Sequence, residues 1–400
     1  MESAWMAGCG RALLMTLSVA SLGLAGCGNF FQCEKASCPT TTGTGSGSGT
    51  PTPASGDYAY VANSSAGTTY LSEFVIGSSA LTSLGTIQLG YIPVALAVAP
   101  SDAFLYVASV PGATTPGVYL YAIGSTGALT TANGGNALAI DTVSSMAISP
   151  DGKWMFTVNV DGVTMSEYAV NTSTGKLTLD ATLNLIGTPC NLSAAAPVSQ
   201  SCSVTVAQSG GYVVASLGIS GEIVYPYNST NGITGSGVYS ISSDYSTSNP
   251  VGDFSAAVNG TNYAYVAQTN SLAAYGLLSS GDYSIIGTAP YPSGSAPRSI
   301  VLNPAGTFVF TANEAASTIS GFSVVSGGGL TAVTGSPTPG PANGSAISVD
   351  NTGGYLMDVG YDANTGIRLY TISSVGVLTQ VAQVGSGTNE AYPALVAMTH

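Results

Sequence analysis

Three features of the 400-residue sequence predict an all-β chain organised as a seven-bladed β-propeller of four-stranded antiparallel blades. First, an apolar run reaches a Pro/Asn/Gly-type turn and restarts as an aromatic-rich strand, and this passage recurs seven times at intervals of about 50 residues, the period of a propeller blade. Second, only 6% of residues are charged while 52 are Gly, and no segment sustains a helical period, so strands and tight turns dominate. Third, the two ends complement each other. The first unit lacks the apolar strand that precedes every other turn, and Pro393-Ala-Leu-Val-Ala-Met398 supplies such a strand with no turn after it. Pairing the two closes the first blade with the C-terminal strand and covers an otherwise exposed sheet edge.

Taken in chain order, residues 1–26 read as a lipoprotein signal peptide. Arg11 precedes an apolar stretch, Ala12 to Leu24, and Leu24-Ala25-Gly26-Cys27 has the form of a lipobox. The apolar stretch is too short to span a bilayer, and cleavage before Cys27 leaves a thiol to carry diacylglycerol. Gly28, rather than Asp, follows the Cys, which points to the outer membrane. The expected location is therefore the cell envelope, with the membrane as a partner through the lipid anchor at Cys27. Residues 27–56 form a tether, whose stretch from Thr40 to Ser55 is Thr, Gly, Ser and Pro apart from Ala54, with little to bury, so it is expected to act as a flexible spacer.

Residues 57–400 hold the propeller. Its turn-and-strand units are Asp57–Asn63, Ser101–Ser109, Pro150–Asn159, Ser209–Ser216, Gly260–Gln268, Pro304–Asn313 and Thr352–Asp358. Each is followed by a third strand, such as Gly117-Val-Tyr-Leu-Tyr-Ala-Ile123. Often a Gly-x-Leu-Thr stretch opens a fourth, as at Gly127–Thr130, Gly175–Thr178 and Gly376–Thr379.

Of the six cysteines, Cys9 leaves with the signal and Cys27 is lipidated. The rest fall into two close pairs, Cys33 with Cys38 and Cys190 with Cys202, and an exported, oxidising compartment makes disulfides the expectation for both. A metal site is not expected, because no His or carboxylate cluster accompanies either pair and the sole histidine is His400. No cofactor is implied. Net charge is −13, and the propeller holds four cations, Lys153, Lys176, Arg298 and Arg368, too few for the phosphate contacts that nucleic-acid binding requires.

Aligning the units separates features shared by every blade from those confined to one. At the start of the inner strand the blades carry Val94, Ser144, Cys202, Asp253, Arg298 and Ser345. Just beyond the second strand, on the same face, they carry Ser64, Val110, Val160, Gly218, Thr269, Glu314 and Tyr361. Arg298 and Glu314 thus share one face of the sixth blade, with Asp253 from the fifth and Tyr361 from the seventh as candidate ligand contacts. In a functional reading Arg298 holds a carboxylate or carbonyl oxygen and Glu314 serves as base or acceptor. In a structural reading the charges form a neutralised network.

The sixth blade, Ala296-Pro-Arg-Ser299-Ile-Val-Leu-Asn-Pro-Ala-Gly306-Thr-Phe-Val-Phe-Thr-Ala-Asn-Glu314, resembles the propeller lactonases, the seven-bladed 6-phosphogluconolactonase and muconate-cyclising group. That family shows Pro-Arg-His at the start of an inner strand, a His/Asn-Pro-x-Gly turn and Asn-Glu ending the next strand. Pro297, Arg298, Asn303, Pro304, Gly306, Asn313 and Glu314 match, and Ser299 stands where the family has His. The resemblance covers about residues 57 to 399 and touches the YVTN-type surface propellers, echoed in Tyr60-Val-Ala-Asn63. It implies a lactonase fold with Arg298 and Glu314 as the catalytic positions. The lack of His and the scarcity of cations argue against a phosphorylated sugar substrate. Three functions stay open: a lactonase-like module of the envelope binding a small-molecule, glycan or protein ligand, a lactonase for a non-phosphorylated lactone, and a structural or adhesive repeat protein.

Overall fold

In the computed structural model the described residues are 56–65, 68–109, 116–138, 143–159, 163–185, 202–208, 210–217, 222–240, 256–259, 263–268, 270–277, 283–287, 290–362, 364–385 and 395–399. The expectations for residues 1–55, including Cys27 and the Cys33–Cys38 pair, fall outside them. Within the unit Thr50–His400, the described residues are strands and turns with one 3-10 turn, Asn133–Gly135. No described helix is long and apolar enough to cross a membrane.

Seven antiparallel sheets form, one per predicted blade. Blade 1 runs inward from Leu81–Leu89 through Thr68–Ile76 and Tyr58–Ser65 to Leu395–Met398. The C-terminal strand thus closes the first blade as expected, pairing Met398 with Ala59 and Leu395 with Ala62. Blade 2 has its inner strand at Pro93–Val98 and ends outward at Leu129–Thr131, and blade 3 runs from Val143–Ile148 to Leu177–Asn184. Blades 4 and 5 start at Ser203–Val206 and Ala256–Asn259. Blade 6 comprises Pro297–Leu302, Phe308–Asn313, Thr318–Val324 and Leu330–Ala332, and blade 7 runs from Ala346–Val349 through Tyr355–Val359 and Ile367–Ile372 to Leu378–Val384. In blades 4, 5 and 6 the outer strand is broken into two short pieces that pair separately with the third strand, as Leu330–Ala332 and Thr338–Pro339 do. Gly and Pro fill these stretches, and neither sustains a long ladder.

The core is a ring of seven clusters, each straddling one pair of neighbouring blades. Strand periodicity produces them, because successive side chains of a second strand point to opposite faces. Tyr60 and Ala62 pack with Leu105 and Val107 of blade 2, whereas Ala59 and Val61 pack with Met357 and Val359 of blade 7. Phe310 and Ala312 likewise meet Leu356 and Tyr370 across the blade 6–7 interface.

Polar latches join the blades at their outer parts. Tyr60 Oη donates to the Gly127 carbonyl of blade 2 at 2.8 Å, and Tyr106 Oη donates to Gly175 of blade 3 at 2.8 Å. Where the third blade has Phe156 instead of Tyr, its cross-strand partner Glu167 accepts from the Ile233 amide of blade 4 at 2.9 Å. The glycine that opens the outer strand is required here, since Gly127 has φ 80 and a Cβ there would fall 2.1 Å from the Tyr58 ring. Phe308 covers Gly376 in the same way. The recurrent Pro/Asn/Gly turn has a local cause: Asn303 Oδ1 accepts from the Thr307 and Phe308 amides at 2.8 Å, with Gly306 at φ 64 completing the turn.

Tyr106→Phe keeps the buried ring and deletes only the hydroxyl, so it should lower the unfolding free energy by about 1 kcal/mol in urea denaturation. Unchanged stability would show that the hydroxyl does not tie blade 2 to blade 3.

Candidate functional site

Arg298 owes its position to a β-bulge. In blade 6 Pro297 pairs with Asn313 and Ser299 with Ala312, so Arg298 is the extra residue that the partner strand leaves unopposed. Such a residue is re-aimed out of the regular alternation. The same irregularity occurs at Val94 in blade 2 and Ser144 in blade 3, so the repeat supplies the bulge and blade 6 alone among these fills it with a cation. Glu314 follows the end of the paired strand. Its amide donates to the Ala296 carbonyl at 2.9 Å, which Ala296 presents from a left-handed conformation, φ 52.

The two side chains meet as an ion pair, Arg298 Nε donating to Glu314 Oε2 at 2.5 Å, with 9% and 17% of the side chains exposed. At this depth, removing one partner of such a pair costs about 3 to 5 kcal/mol, because it strands the other charge. Neighbouring polar groups fix the strand ends. Asn313 is fully buried and donates to Thr318 Oγ1 at 3.1 Å and Ser320 Oγ at 2.9 Å. Gly294 leaves the room this needs, since a Cβ there would fall 2.7 Å from Asn313 Nδ2.

Ser299, at the position the resemblance assigns to His, accepts from the Ile347 amide of blade 7 at 3.3 Å. Ser145 accepts from the Val204 amide of blade 4 in the corresponding way, at 3.1 Å, so this hydroxyl links adjacent inner strands. Tyr361 is half-buried at the matching end of the second strand of blade 7, its amide donating to Ala342 at 3.0 Å. Asp253 lies outside the described residues. Cys202 is buried and disulfide-bonded, while its expected partner Cys190 lies outside the described residues.

One charged group on this side escaped the sequence alignment. Asp358, in the second strand of blade 7, is completely buried and stands opposite Arg368 across the ladder. It lies beneath the connection from blade 6 to blade 7, where Cβ atoms on Gly340 and Gly344 would fall 2.9 Å from its oxygens. That connection is tied to Ser317 of blade 6, Gly340 donating to its carbonyl at 2.9 Å and Asn343 to its Oγ at 3.1 Å. Burial pushes the Asp358 carboxyl well above the ordinary carboxylate range, opposed by the Arg368 charge and the Val359 amide. The signal was present in the repeat, since the other blades carry Val61, Val107, Thr157, Ala215, Val266 and Thr311 at this place.

A family model described as lactonase, 7-bladed beta-propeller, matches residues 104–393. Among solved structures, a candidate 6-phosphogluconolactonase from Bacteroides uniformis aligns with a TM-score of 0.64 at 19% identity, over 86% of this chain and all of its own. A second one, from Bacteroides fragilis, aligns with a TM-score of 0.64 at 16% identity over 86% of this chain and 98% of its own. The periplasmic gluconolactonase PpgL of Pseudomonas aeruginosa aligns with a TM-score of 0.59 at 15% identity, over 86% of this chain and 99% of its own. At these identities the likeness is one of fold. No curated protein sequence matches the chain.

The Asp358 carboxyl gives a pH dependence with a defined sign. Because it is harder to ionise folded than unfolded, it favours the native state most below its ordinary value of 3.8 and progressively less as pH rises above it. Asp358→Asn cannot ionise, so thermal melts should show the variant gaining on the native chain between pH 4 and pH 8. A variant that loses stability at pH 8 would instead mean that Asp358 is ionised and held by Arg368.

Proposed function

The chain belongs to the lactonase family of seven-bladed β-propellers, and from that premise we propose that it is a lipid-anchored module of the cell envelope that binds a non-phosphorylated ligand. Anchoring is through Cys27 to the outer membrane, and the ligand engages Arg298 by a carboxylate or carbonyl oxygen. The observation that carries the reading is the Arg298–Glu314 pair, held at 2.5 Å by a bulge in the inner strand while Ser299 is engaged with Ile347. An Arg in a low-dielectric setting is a strong receptor for a planar oxyanion or carbonyl. The proton carrier that the resemblance calls for at Ser299 is a hydroxyl that does not titrate near neutral pH.

A second reading, hydrolysis of a non-phosphorylated lactone, is favoured by the family itself and by the likeness in fold to a gluconolactonase described as periplasmic. Arg298 then polarises the lactone carbonyl and Glu314 acts as base.

One experiment separates the two. The full chain, the Glu314→Gln variant and the Arg298→Ala variant are assayed on a panel of sugar and aliphatic lactones, and binding of the corresponding hydroxy acids is measured by calorimetry. The binding reading expects turnover indistinguishable from buffer, with saturable binding that Arg298→Ala weakens at least tenfold. Turnover that Glu314→Gln abolishes establishes the lactonase instead. Neither turnover nor binding sensitive to Arg298 would overturn both.

A further inference from the structure

We propose a second ligand site at the opposite mouth of the propeller, a pocket for a small hydrophobic cation, separate from Arg298 and Glu314. Inner strands start on the face that carries Arg298, and their other ends surround a cavity of about 490 Å3, within the range taken by drug-sized small molecules. Among the described residues, six blades contribute to its wall, with aliphatic groups such as Leu96, Ile148, Val206, Val301, Val349 and Met398.

Two of the four polar side chains on that wall, Gln208 and Asp350, are already engaged. Gln208 reaches from blade 4 to blade 6, donating to the Asn303 carbonyl at 3.2 Å and the Leu302 carbonyl at 3.4 Å. Asp350 Oδ1 accepts from the Tyr355 amide at 2.6 Å, and its Oδ2 accepts from the Thr352 hydroxyl. With Ser348 and Asn351 the other polar side chains on a mostly aliphatic wall, a sugar would bury more hydroxyls than it could pair, at the cost of unmade hydrogen bonds. An apolar body loses nothing.

Charge selects the head group. Asp350 lines the cavity, Asp57 stands within electrostatic reach of Asp350, and Asp102 within reach of Asp57. Burial first, then the charges of Asp350 and Asp102, raise the Asp57 carboxyl. On the same face Lys153 is paired with Asp151 at 3.6 Å, and Arg298 belongs to the other end of the strand. A ligand with an apolar body and a cationic head matches an apolar well with Asp350 on its wall, whereas an anionic amphiphile meets repulsion.

The test uses two fluorescent rods that differ only in their head groups, trimethylammonium-diphenylhexatriene and diphenylhexatriene-propionate, titrated onto the full chain. The cationic probe should bind saturably at one per chain and at least tenfold more tightly than the anionic one. Ala97→Phe, or Ser348→Leu on another part of the wall should either perturb the fold, should abolish binding with an unchanged melting temperature. The double variant Asp57→Asn/Asp102→Asn should bind the cationic probe several-fold more weakly, Asn being tolerated at the φ of 52 found at Asp102. Glu314→Gln should leave the affinity as it is, which separates this site from the family site. No saturable binding, equal affinity for the two probes, or binding retained in both filled variants would overturn the proposal.

Discussion

Every other feature of this molecule depends on the pairing of Leu395–Met398 with Ala59–Ala62. Blade 1 takes its innermost strand from the far end of the sequence, and without it two apolar surfaces open at once. One is the blade 7–1 cluster, to which Met398 belongs, and the other is the blade 1–2 cluster, to which Ala397 belongs. In an open sheet a lost terminal strand uncovers one edge. In a closed ring it breaks the circuit, because each blade is stabilised mainly by contact with its two neighbours. An apolar side chain buried at such an interface contributes roughly 1.5 to 3 kcal/mol, so the seven clusters together outweigh the polar latches. The latches from Tyr60, Tyr106 and Glu167 set how adjacent blades are aligned.

The two faces of the ring inherit different chemistry from the same repeat. Where inner strands begin, a bulge re-aims one residue, and in blade 6 that residue is Arg298. Where they end, the side chains of Asn303 and Asp350 cap turns, and mostly aliphatic side chains surround the cavity. A polar, charge-paired mouth and an apolar mouth with Asp350 on its wall therefore arise without any departure from the blade plan. Ser299 shows the same economy. The residue that the family resemblance marks as a proton carrier instead ties the inner strand of blade 6 to that of blade 7.

The blade number and the closure were legible in the sequence because the turn, the aromatic strand and the Gly-x-Leu-Thr stretch each have a local cause that repeats. Arg298 and Glu314 were legible for the same reason, since aligned units place them on one face and the structure pairs them. Asp358 was not legible in this way, because it stands in mid-strand, away from the channel mouth, where its side chain enters the blade 6–7 interface. The broken outer strands of blades 4 to 6 also went unseen. Their pieces are two or three residues long and leave almost no periodic signal.

Closure by the C-terminal strand is most directly tested by removing it. The measurement is the urea unfolding transition of a chain ending at Ala394, followed in parallel by tyrosine fluorescence and far-ultraviolet circular dichroism. If the ring stands on this pairing, the truncated chain should lose its single cooperative transition, and a separate peptide spanning residues 393–400 should restore part of it. A truncated chain that unfolds cooperatively at the midpoint of the full-length protein would contradict the account.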